Sequence, residues 1–319
     1  MRLLFLLPVA LVALAGQARA EGLAFVINSR SASISVIDVA THREKLRIPV
    51  LREPHHMALT PDHRYLLVGD TTGNEVLFIN PRTAKVERRL TIADPYQLVF
   101  SPDGRWLTIA GLARNQVDVY DAATMRLVKR FPLSAMPSHI NYAPDSSVVY
   151  VSLQETGRLA AIDLRTLQVL WDSKVGDTPA GVLWLNGHIL VGLMGSDCVA
   201  VVDPVDGHVV QCVHTGRGPH VLFLSHDRRT LYVTNRVGGT IVALDPATLQ
   251  EIRRYQVSGG PDDMDFAPDG KLWISRRFDH SIGILDPVTG KMQVIEVGRS
   301  PHGIWLNTHD TLPVSVSQR

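Results

Sequence analysis

Short apolar runs alternate with turn residues along almost the whole chain, and the pattern is clearest between Pro219 and Gly270. Four runs occur in this stretch before the pattern starts again at Pro261. Each run is rich in β-branched and aromatic residues and is bounded by Gly, Pro, Asn or Asp, which favours strands over helices. Four strands in about forty residues is the unit expected for one blade of a β-propeller.

Two independent markers count the repeats. A proline before the first strand recurs at Pro54, Pro95, Pro137, Pro179, Pro219, Pro261 and Pro301. A polar residue at the end of the third strand recurs at Asp38, Asn80, Asp121, Asp163, Asp203, Asp245 and Asp286. Both markers occur seven times, at spacings of 40 to 42 residues. The sequence therefore predicts an all-β, seven-bladed propeller with four-stranded blades.

One of the strand motifs also carries a family resemblance. Residues 232–235 read YVTN, and the repeats around them resemble the YVTN-repeat family of exported, YncE-like seven-bladed β-propellers. The resemblance covers almost all of the chain after its first 20 residues. It implies the same WD40-like fold, but it implies no particular activity, because propellers host unrelated functions.

The predicted domains are a signal peptide at residues 1–20, the propeller at residues 21–307 and a short, loose tail at residues 308–319. Arg2, the apolar run from Leu3 to Gly16 and the small residues around Ala20 are typical of a cleaved secretory leader. An uncleaved membrane anchor is the alternative. No later apolar run is long enough to span a membrane, so we expect a periplasmic or secreted product.

The two ends of the propeller each contain an incomplete blade. Residues 23–28 form a second strand with no first strand before it, and the run from Pro301 to Leu306 is a first strand with no second strand after it. We expect them to share one blade, which closes the ring and leaves no exposed edge for association. The prediction for the assembly is accordingly a monomer.

The charge of the chain bears on its partners. The full sequence has 32 basic and 31 acidic residues, and loss of the leader removes Arg2 and Arg19. The remaining chain has 30 basic and 31 acidic residues, close to neutrality. This balance makes nucleic acid an improbable partner, although a local basic patch stays open.

Cys198 and Cys212 lie symmetrically about a predicted hairpin turn centred on Val205. In a regular hairpin they would be directly opposite and within reach of a disulfide, which an oxidising compartment would preserve. A redox-active pair is the weaker alternative, because the chain has no C-x-x-C motif. The C-x-x-C-H signature of covalent haem attachment is also absent from the sequence.

Known catalytic motifs do not occur in the sequence. It has no H-E-x-x-H, G-x-S-x-G or P-loop motif, and no G-x-G-x-x-G that follows a strand. A catalytic group assembled from distant blades remains open. The sequence favours a binding or scaffolding module over an enzyme.

The topology of a blade places the loops before first strands and the loops between second and third strands on one face. Four consecutive blades carry a His or Asp directly after the proline on this face, whereas the other three carry Tyr96, Ser138 and Ala180. The predicted ligand-binding residues are therefore His55, His220, Asp262 and His302, with Arg30, Arg236 and Arg276, or its neighbour Arg277, from the adjacent loops. The alternative is that these residues only bond the backbone of a neighbouring blade.

Such a set suits an unidentified small molecule or an exported protein partner. His55, His220 and His302 are the candidate ligands for a metal or a haem-type cofactor, because neutral imidazole binds transition metals. A redox accessory protein is one alternative function, since the propeller of cytochrome cd1 nitrite reductases is similar in architecture and has a histidine-ligated haem over its ring. A lactonase-like hydrolase is the second alternative.

Overall fold

The protein is described by a computed structural model, in which residues 22–133 and 135–307 are placed. The predicted signal peptide at residues 1–20 and the predicted tail at residues 308–319 lie outside the described residues. Among the described residues, no helix is long and apolar enough to cross a membrane.

Seven sheets of four antiparallel strands form the ring, and this confirms the predicted fold. The blade that closes the ring, here called the closing blade, consists of β1 (Leu23–Asn28), β2 (Ser33–Asp38), β3 (Arg43–Pro49) and β28 (Pro301–Asn307). One turn of 3-10 helix, Ser29–Ser31, joins β1 to β2.

The other six blades follow in chain order, each with its strands in sequence. Blade 1 contains β4 (Pro54–Leu59), β5 (Leu66–Asp70), β6 (Glu75–Ile79) and β7 (Val86–Thr91). Blade 2 contains β8 (Gln97–Phe100), β9 (Trp106–Gly111), β10 (Gln116–Asp121) and β11 (Arg126–Pro132). Blade 3 contains β12 (Pro137–Tyr142), β13 (Val148–Leu153), β14 (Arg158–Asp163) and β15 (Gln168–Lys174).

Blade 4 contains β16 (Pro179–Leu185), β17 (His188–Leu193), β18 (Cys198–Val202) and β19 (Val209–His214). Blade 5 contains β20 (Pro219–Leu224), β21 (Leu231–Asn235), β22 (Thr240–Leu244) and β23 (Glu251–Gln256). Blade 6 contains β24 (Pro261–Phe266), β25 (Leu272–Arg276), β26 (Ser281–Leu285) and β27 (Met292–Glu296). Six of the seven marker prolines open a first strand, and Pro95 lies two residues before β8.

The hydrophobic core lies between the blades. Each of the seven interfaces between neighbouring blades has its own cluster of buried aliphatic and aromatic side chains. At the junction of blade 1 and the closing blade, for example, Phe25 and Ile34 pack with Leu77 and Trp305. The second and third strands are buried, whereas the fourth strands are largely exposed at the rim.

The polar residues that end the third strands stabilise the turns that follow them. Asp245 accepts hydrogen bonds at Oδ1 from the amides of Ala247 (2.9 Å) and Thr248 (2.8 Å). Asp286 accepts in the same way from the amides of the two residues at the corresponding turn positions. Side-chain acceptors of this kind stabilise tight turns, so these carboxylates serve the fold.

Ring closure follows the predicted scheme. β28 lies beside β1 in an antiparallel pair, with Leu306 opposite Ala24 and Ile304 opposite Val26. The amide of Gly298 also donates to Asn28 Oδ1 at 3.0 Å, so side-chain bonds reinforce the junction. The first strand of the closing blade therefore comes from the opposite end of the chain to the other three.

The predicted disulfide between Cys198 and Cys212 is present, with 5.7 Å between their Cα atoms. The expected pairing, however, is wrong in detail. Cys198 lies opposite His214, and Cys212 lies opposite Ala200. The hairpin turn pairs Val202 with Val209, which offsets the cysteines by one residue, and a β-bulge between Val201 and Val202 adds a second. The two cysteines are thus diagonal rather than direct neighbours, and the bond joins the buried third strand of blade 4 to its exposed fourth strand.

Removing β28 should open the ring. A variant that ends at Asn307 and one that ends at Ser300 differ only by this strand, so their comparison isolates its effect. The shorter variant exposes the edge of β1 and the cluster around Trp305, and we expect its cooperative thermal transition to be lost or strongly weakened in calorimetry. Identical melting of the two variants would mean that the ring is closed by other contacts.

The disulfide should contribute to the stability of blade 4. Closing a loop of about 15 residues contributes about 3 kcal/mol in the chain-entropy model. We therefore expect Cys198→Ser with Cys212→Ser to lower the free energy of unfolding in urea by up to about that amount. Denatured wild-type protein should show no thiol that reacts with Ellman's reagent until reductant is added. Two reactive thiols before reduction would contradict the disulfide.

Candidate functional site

The first strands line the axis of the ring, and a β-bulge follows the proline in six of them. Between Pro54 and Met57, for example, β4 advances three residues while its partner β5 advances two, from Asp70 to Val68. The first strands of blades 3 to 6 and of the closing blade have the same irregularity. A bulge changes the direction of side chains relative to a regular strand. It explains why two consecutive residues of one strand reach the axis.

A buried group of rings fills the axis on the face of the marker prolines. We call it the histidine cluster, and its members are His55, His56, Tyr96, His139, His220 and His302. His302 lies at its centre, with its ring centroid 4.8 Å from that of His55 and 4.7 Å from that of His56. Each of the six side chains belongs to a residue that is at most 7% exposed. Five blades contribute to the cluster.

Several imidazole nitrogens in the cluster have no hydrogen-bond partner among the described residues. They are His55 Nδ1, His56 Nε2, His139 Nε2 and both ring nitrogens of His302. A buried polar atom without a partner costs free energy and is rare in native proteins. Five such atoms around one axis indicate that something outside this set of side chains satisfies them. Ordered water or a bound ligand are the two possibilities that chemistry offers.

Asp262 provides the negative charge next to the cluster. It is fully buried on β24, and its carboxylate forms ion pairs with Arg236 and with Arg277, the latter at 3.0 Å. His220 Nδ1 lies 3.1 Å from Asp262 Oδ1, and His302 Nε2 lies 3.6 Å from Oδ2. A buried carboxylate is tolerated only when cations or donors compensate it, and here two guanidiniums do so.

The contacts of His220 fix its tautomer. Arg236 Nη2 contacts His220 Nε2, and because a guanidinium can only donate, this nitrogen must be the acceptor. The proton is then on Nδ1, which faces Asp262. Both nitrogens of His220 are occupied, so this residue is poorly suited to bind a metal. His55, His56, His139 and His302 remain as the possible donors.

Burial is the main cause that lowers the pKa of four histidines of the cluster. Burial, assisted by the positive charge of Arg236, lowers the pKa of His220 to about 3. Burial also holds the pKa values of His56, His139 and His302 well below their usual range. Burial would raise the pKa of Asp262, but Arg236, His220 and Arg277 outweigh it and keep that pKa far below normal. The imidazoles of these four histidines are therefore unprotonated at neutral pH.

The structure brings together five of the seven residues predicted as ligand-binding, namely His55, His220, Arg236, Asp262 and His302. Arg276 is elsewhere, because its guanidinium bonds Ser258, Ser281 and Asp279. The adjacent Arg277 contacts Asp262 instead. Arg30 lies in the 3-10 turn of the closing blade and is exposed at the surface of the same face.

Sequence reasoning missed His56 and His139, and it took Tyr96 for an unremarkable position. Tyr96 packs against His55 with ring centroids 4.7 Å apart, and His139 packs against His220 at 5.2 Å. His56 and His139 are the second residues after their prolines. In a regular strand their side chains would point to the opposite side from the side chain directly after the proline. Only the bulge brings them to the axis. The repeated Pro-x-His spacing was nevertheless visible in the sequence.

The donor atoms of the cluster are not arranged to enclose a bare metal ion. Within residues 22–133 and 135–307, the only group of three or more acidic, thiol or imidazole side chains with donor atoms within 4.8 Å of one another is Asp203, Asp206 and His208. That group is a turn of blade 4 on the opposite face, and its side chains are largely exposed. No three donor atoms of the histidine cluster lie that close to one another.

The seven four-stranded sheets define the chain as a seven-bladed β-propeller. The chain belongs to the YNCE-like β-propeller family, whose model matches residues 4–312. No curated protein sequence matches the chain at a significant level.

Solved structures share the fold at low sequence identity. A functionally unknown protein from Desulfotomaculum acetoxidans DSM 771 has a TM-score of 0.75 and 15% identity, with 90% of this chain and 99% of that chain covered. The dihydro-heme d1 dehydrogenase NirN in complex with DHE has a TM-score of 0.68 and 15% identity, over 93% and 77% of the two chains. A Bacteroides uniformis ATCC 8492 protein described as a candidate 6-phosphogluconolactonase has a TM-score of 0.69 and 17% identity, over 90% and 99%.

The neutral histidines make the stability of the protein depend on pH. A histidine whose pKa is lower in the folded state than in the unfolded state binds a proton in the unfolded protein at a pH where it stays neutral in the folded protein. Its contribution to stability is complete above the unfolded pKa near 6.5 and decreases as pH falls below it. For one histidine that stays neutral when folded, the loss between pH 7 and pH 5 is about 2 kcal/mol.

We therefore expect wild-type protein to lose stability to urea between pH 7 and pH 5, and His220→Gln to reduce that loss by about 2 kcal/mol. His208 is a control of opposite sign, because its carboxylate neighbour Asp206 raises its pKa. His208→Gln should not reduce the loss at pH 5. The same pH dependence in wild type and His220→Gln would contradict the assignment of a neutral His220.

Proposed function

We propose that this protein is an exported binding module whose ligand sits over the histidine cluster, on the face of the marker prolines. The observation that carries the proposal is the set of five buried imidazole nitrogens without a partner among the described residues. A ligand that accepts or donates at these atoms would remove the cost of leaving them unsatisfied. Concave sites with a few convergent polar groups are the usual places for small-molecule binding.

Export is supported by the disulfide between Cys198 and Cys212, because such bonds persist in oxidising compartments. The leader-like residues at the start of the chain agree with this location. Membership of the YNCE-like family agrees with it as well, since the family resemblance is to exported propellers.

A redox accessory protein that binds a metal-bearing cofactor is the second candidate. The donor geometry favours it, because the cluster has imidazole nitrogens without a partner but no group of three donor atoms close enough to enclose a bare ion. A metal that already has ligands from an organic cofactor needs only one or two from the protein. His302, with two unpartnered nitrogens, and His55, whose Nδ1 is unpartnered while Nε2 contacts Glu53, would supply such ligands. The similarity in fold to NirN, which is in complex with DHE, points to the same class of ligand.

A lactonase-like hydrolase has less support from the residues at the axis. Two carboxylates contact the cluster or its ion pairs. Asp262 is paired with two guanidiniums and has a strongly lowered pKa, and the contact with His55 lowers the pKa of Glu53 to about 2. A carboxylate in that state is a weak general base. The contacts of Asp262 are those of a structural anchor for Arg236 and Arg277.

The test compares two pairs of histidines on opposite faces. In a thermal-shift and absorbance screen that includes haemin, we expect the double variant His55→Ala, His302→Ala to bind at least tenfold more weakly than wild type, about 1.4 kcal/mol. His188→Ala with His208→Ala is the matched control, because both residues lie on the opposite face. Equal losses from both pairs, with cooperative melting preserved, would show that binding occurs elsewhere or is unspecific.

A further inference from the structure

Charge on the ligand face is distributed unevenly around the ring. Four consecutive blades, from blade 5 through blade 6 and the closing blade to blade 1, supply six arginines from the loops of this face. We call them the arginine crescent, and in ring order they are Arg217, Arg236, Arg277, Arg299, Arg30 and Arg52. Blades 3 and 4, across the axis, present Glu155, Asp177 and Asp197 from their loops, and Lys174 at the end of β15 pairs with Asp177. Blade 2 presents one charge of each sign, Asp94 and Arg114.

Acidic groups neutralise only part of the crescent, because Asp262 pairs with Arg236 and Arg277 alone. Glu53 is engaged by His55 at 3.3 Å and by the hydroxyl of Thr72 at 2.9 Å. Asp279 is engaged by Arg276, which lies outside the crescent. The guanidiniums of Arg30, Arg52 and Arg217 form no hydrogen bond or ion pair with any part of the chain that the structure describes, and all three residues are exposed.

Apolar side chains are exposed in the same arc. Leu51, Val237 and Phe278 are 60%, 56% and 58% exposed, and each follows or precedes an arginine of the crescent in its loop. Every other strongly exposed large apolar side chain among the described residues lies on an outer strand or on the opposite face. Exposed apolar groups beside unpaired guanidiniums indicate contact with a molecule that has both apolar and anionic parts.

We infer that the ligand is an amphipathic polyanion, with an apolar body over the histidine cluster and at least two acidic groups that contact the crescent. This inference rests on the proposed function, because it assumes that the ligand occupies the same face. Guanidiniums bind carboxylate or phosphate through paired hydrogen bonds, and the oxygens of both groups match the spacing of the two N–H donors. Leu51 and Phe278 then flank the apolar body, while Arg30, Arg52 and Arg217 contact its periphery.

Porphyrins with charged substituents are suitable probes, because size and apolar surface stay constant while the sign of the charge changes. We expect metal-free tetrakis(4-carboxyphenyl)porphyrin to bind in a fluorescence titration, and the cationic tetrakis(N-methylpyridyl)porphyrin to bind at least tenfold more weakly. Affinity for the carboxylate probe should fall as salt concentration rises. Equal affinity for the two probes would overturn the inference. A phosphonate analogue of the probe distinguishes a preference for phosphate from one for carboxylate.

Variants separate the crescent from the rest of the surface. Arg30→Gln, Arg52→Gln and Arg217→Gln together should weaken binding of the carboxylate probe at least tenfold. The matched control removes three charges from the opposite face, as Arg126→Gln, Arg228→Gln and Arg229→Gln, and should have much less effect. Equal losses from the two triple variants would overturn the inference. If a single-stranded oligonucleotide displaces the probe at physiological salt, the ligand is nucleic acid and the inference of a small molecule is wrong.

The iron complex of the carboxylate probe distinguishes this inference from the proposed use of histidine. His55→Ala with His302→Ala should weaken the iron form and change its Soret band, with little effect on the metal-free form. Loss of binding in the crescent variant alone, with no effect of the histidines on the iron form, would support the polyanion and contradict metal ligation. Loss of binding in the histidine variant alone, with no effect of the crescent variant, would support metal ligation and contradict the polyanion.

Discussion

The pairing of β28 with β1 is the constraint on which the rest of the molecule depends. Six blades are built from continuous segments, but the seventh exists only when strands from the two ends of the chain meet. Each blade buries its apolar side chains against its neighbours, so an open ring would expose two of the seven core clusters. The candidate site depends on the same pairing, because His302 is the second residue of β28 and lies at the centre of the histidine cluster.

Asp262 has a comparable role within the site. Its carboxylate holds Arg236 and Arg277 at the mouth of the axis, and through Arg236 it fixes the orientation of His220. The cost of burying this charge is offset only while all of these contacts are present. The arrangement therefore specifies one geometry for the cations closest to the cluster, whereas the outer arginines of the crescent have no such restraint from the described residues.

The repeat pattern was sufficient to predict the fold, the number of blades and the mode of closure, because each depends on periodic apolar positions and on turn residues at regular spacing. The site was predicted only in part. His55, His220 and Asp262 follow their prolines directly and could be recognised, but His56 and His139 reach the axis only through β-bulges that leave no signature in a hydrophobic pattern. The choice between Arg276 and Arg277 could not be predicted either. Side chains alternate between the two sides of a strand, and this alternation decides which of the two guanidiniums faces Asp262. The register of Cys198 and Cys212 was misjudged partly because of another bulge and partly because the hairpin turn is centred half a residue beyond Val205.

The position directly after each marker proline has a further consequence for how such a ring can diversify. These seven positions carry His, Tyr, Ser, Ala, His, Asp and His, and all of them begin strands or approach the axis while the apolar core lies further out between the blades. A substitution at the axis therefore leaves the packing of neighbouring blades almost untouched. The blades and the seven residues directly after the marker prolines can therefore vary separately. Relatives with nearly the same backbone can present quite different sets of seven side chains to a ligand.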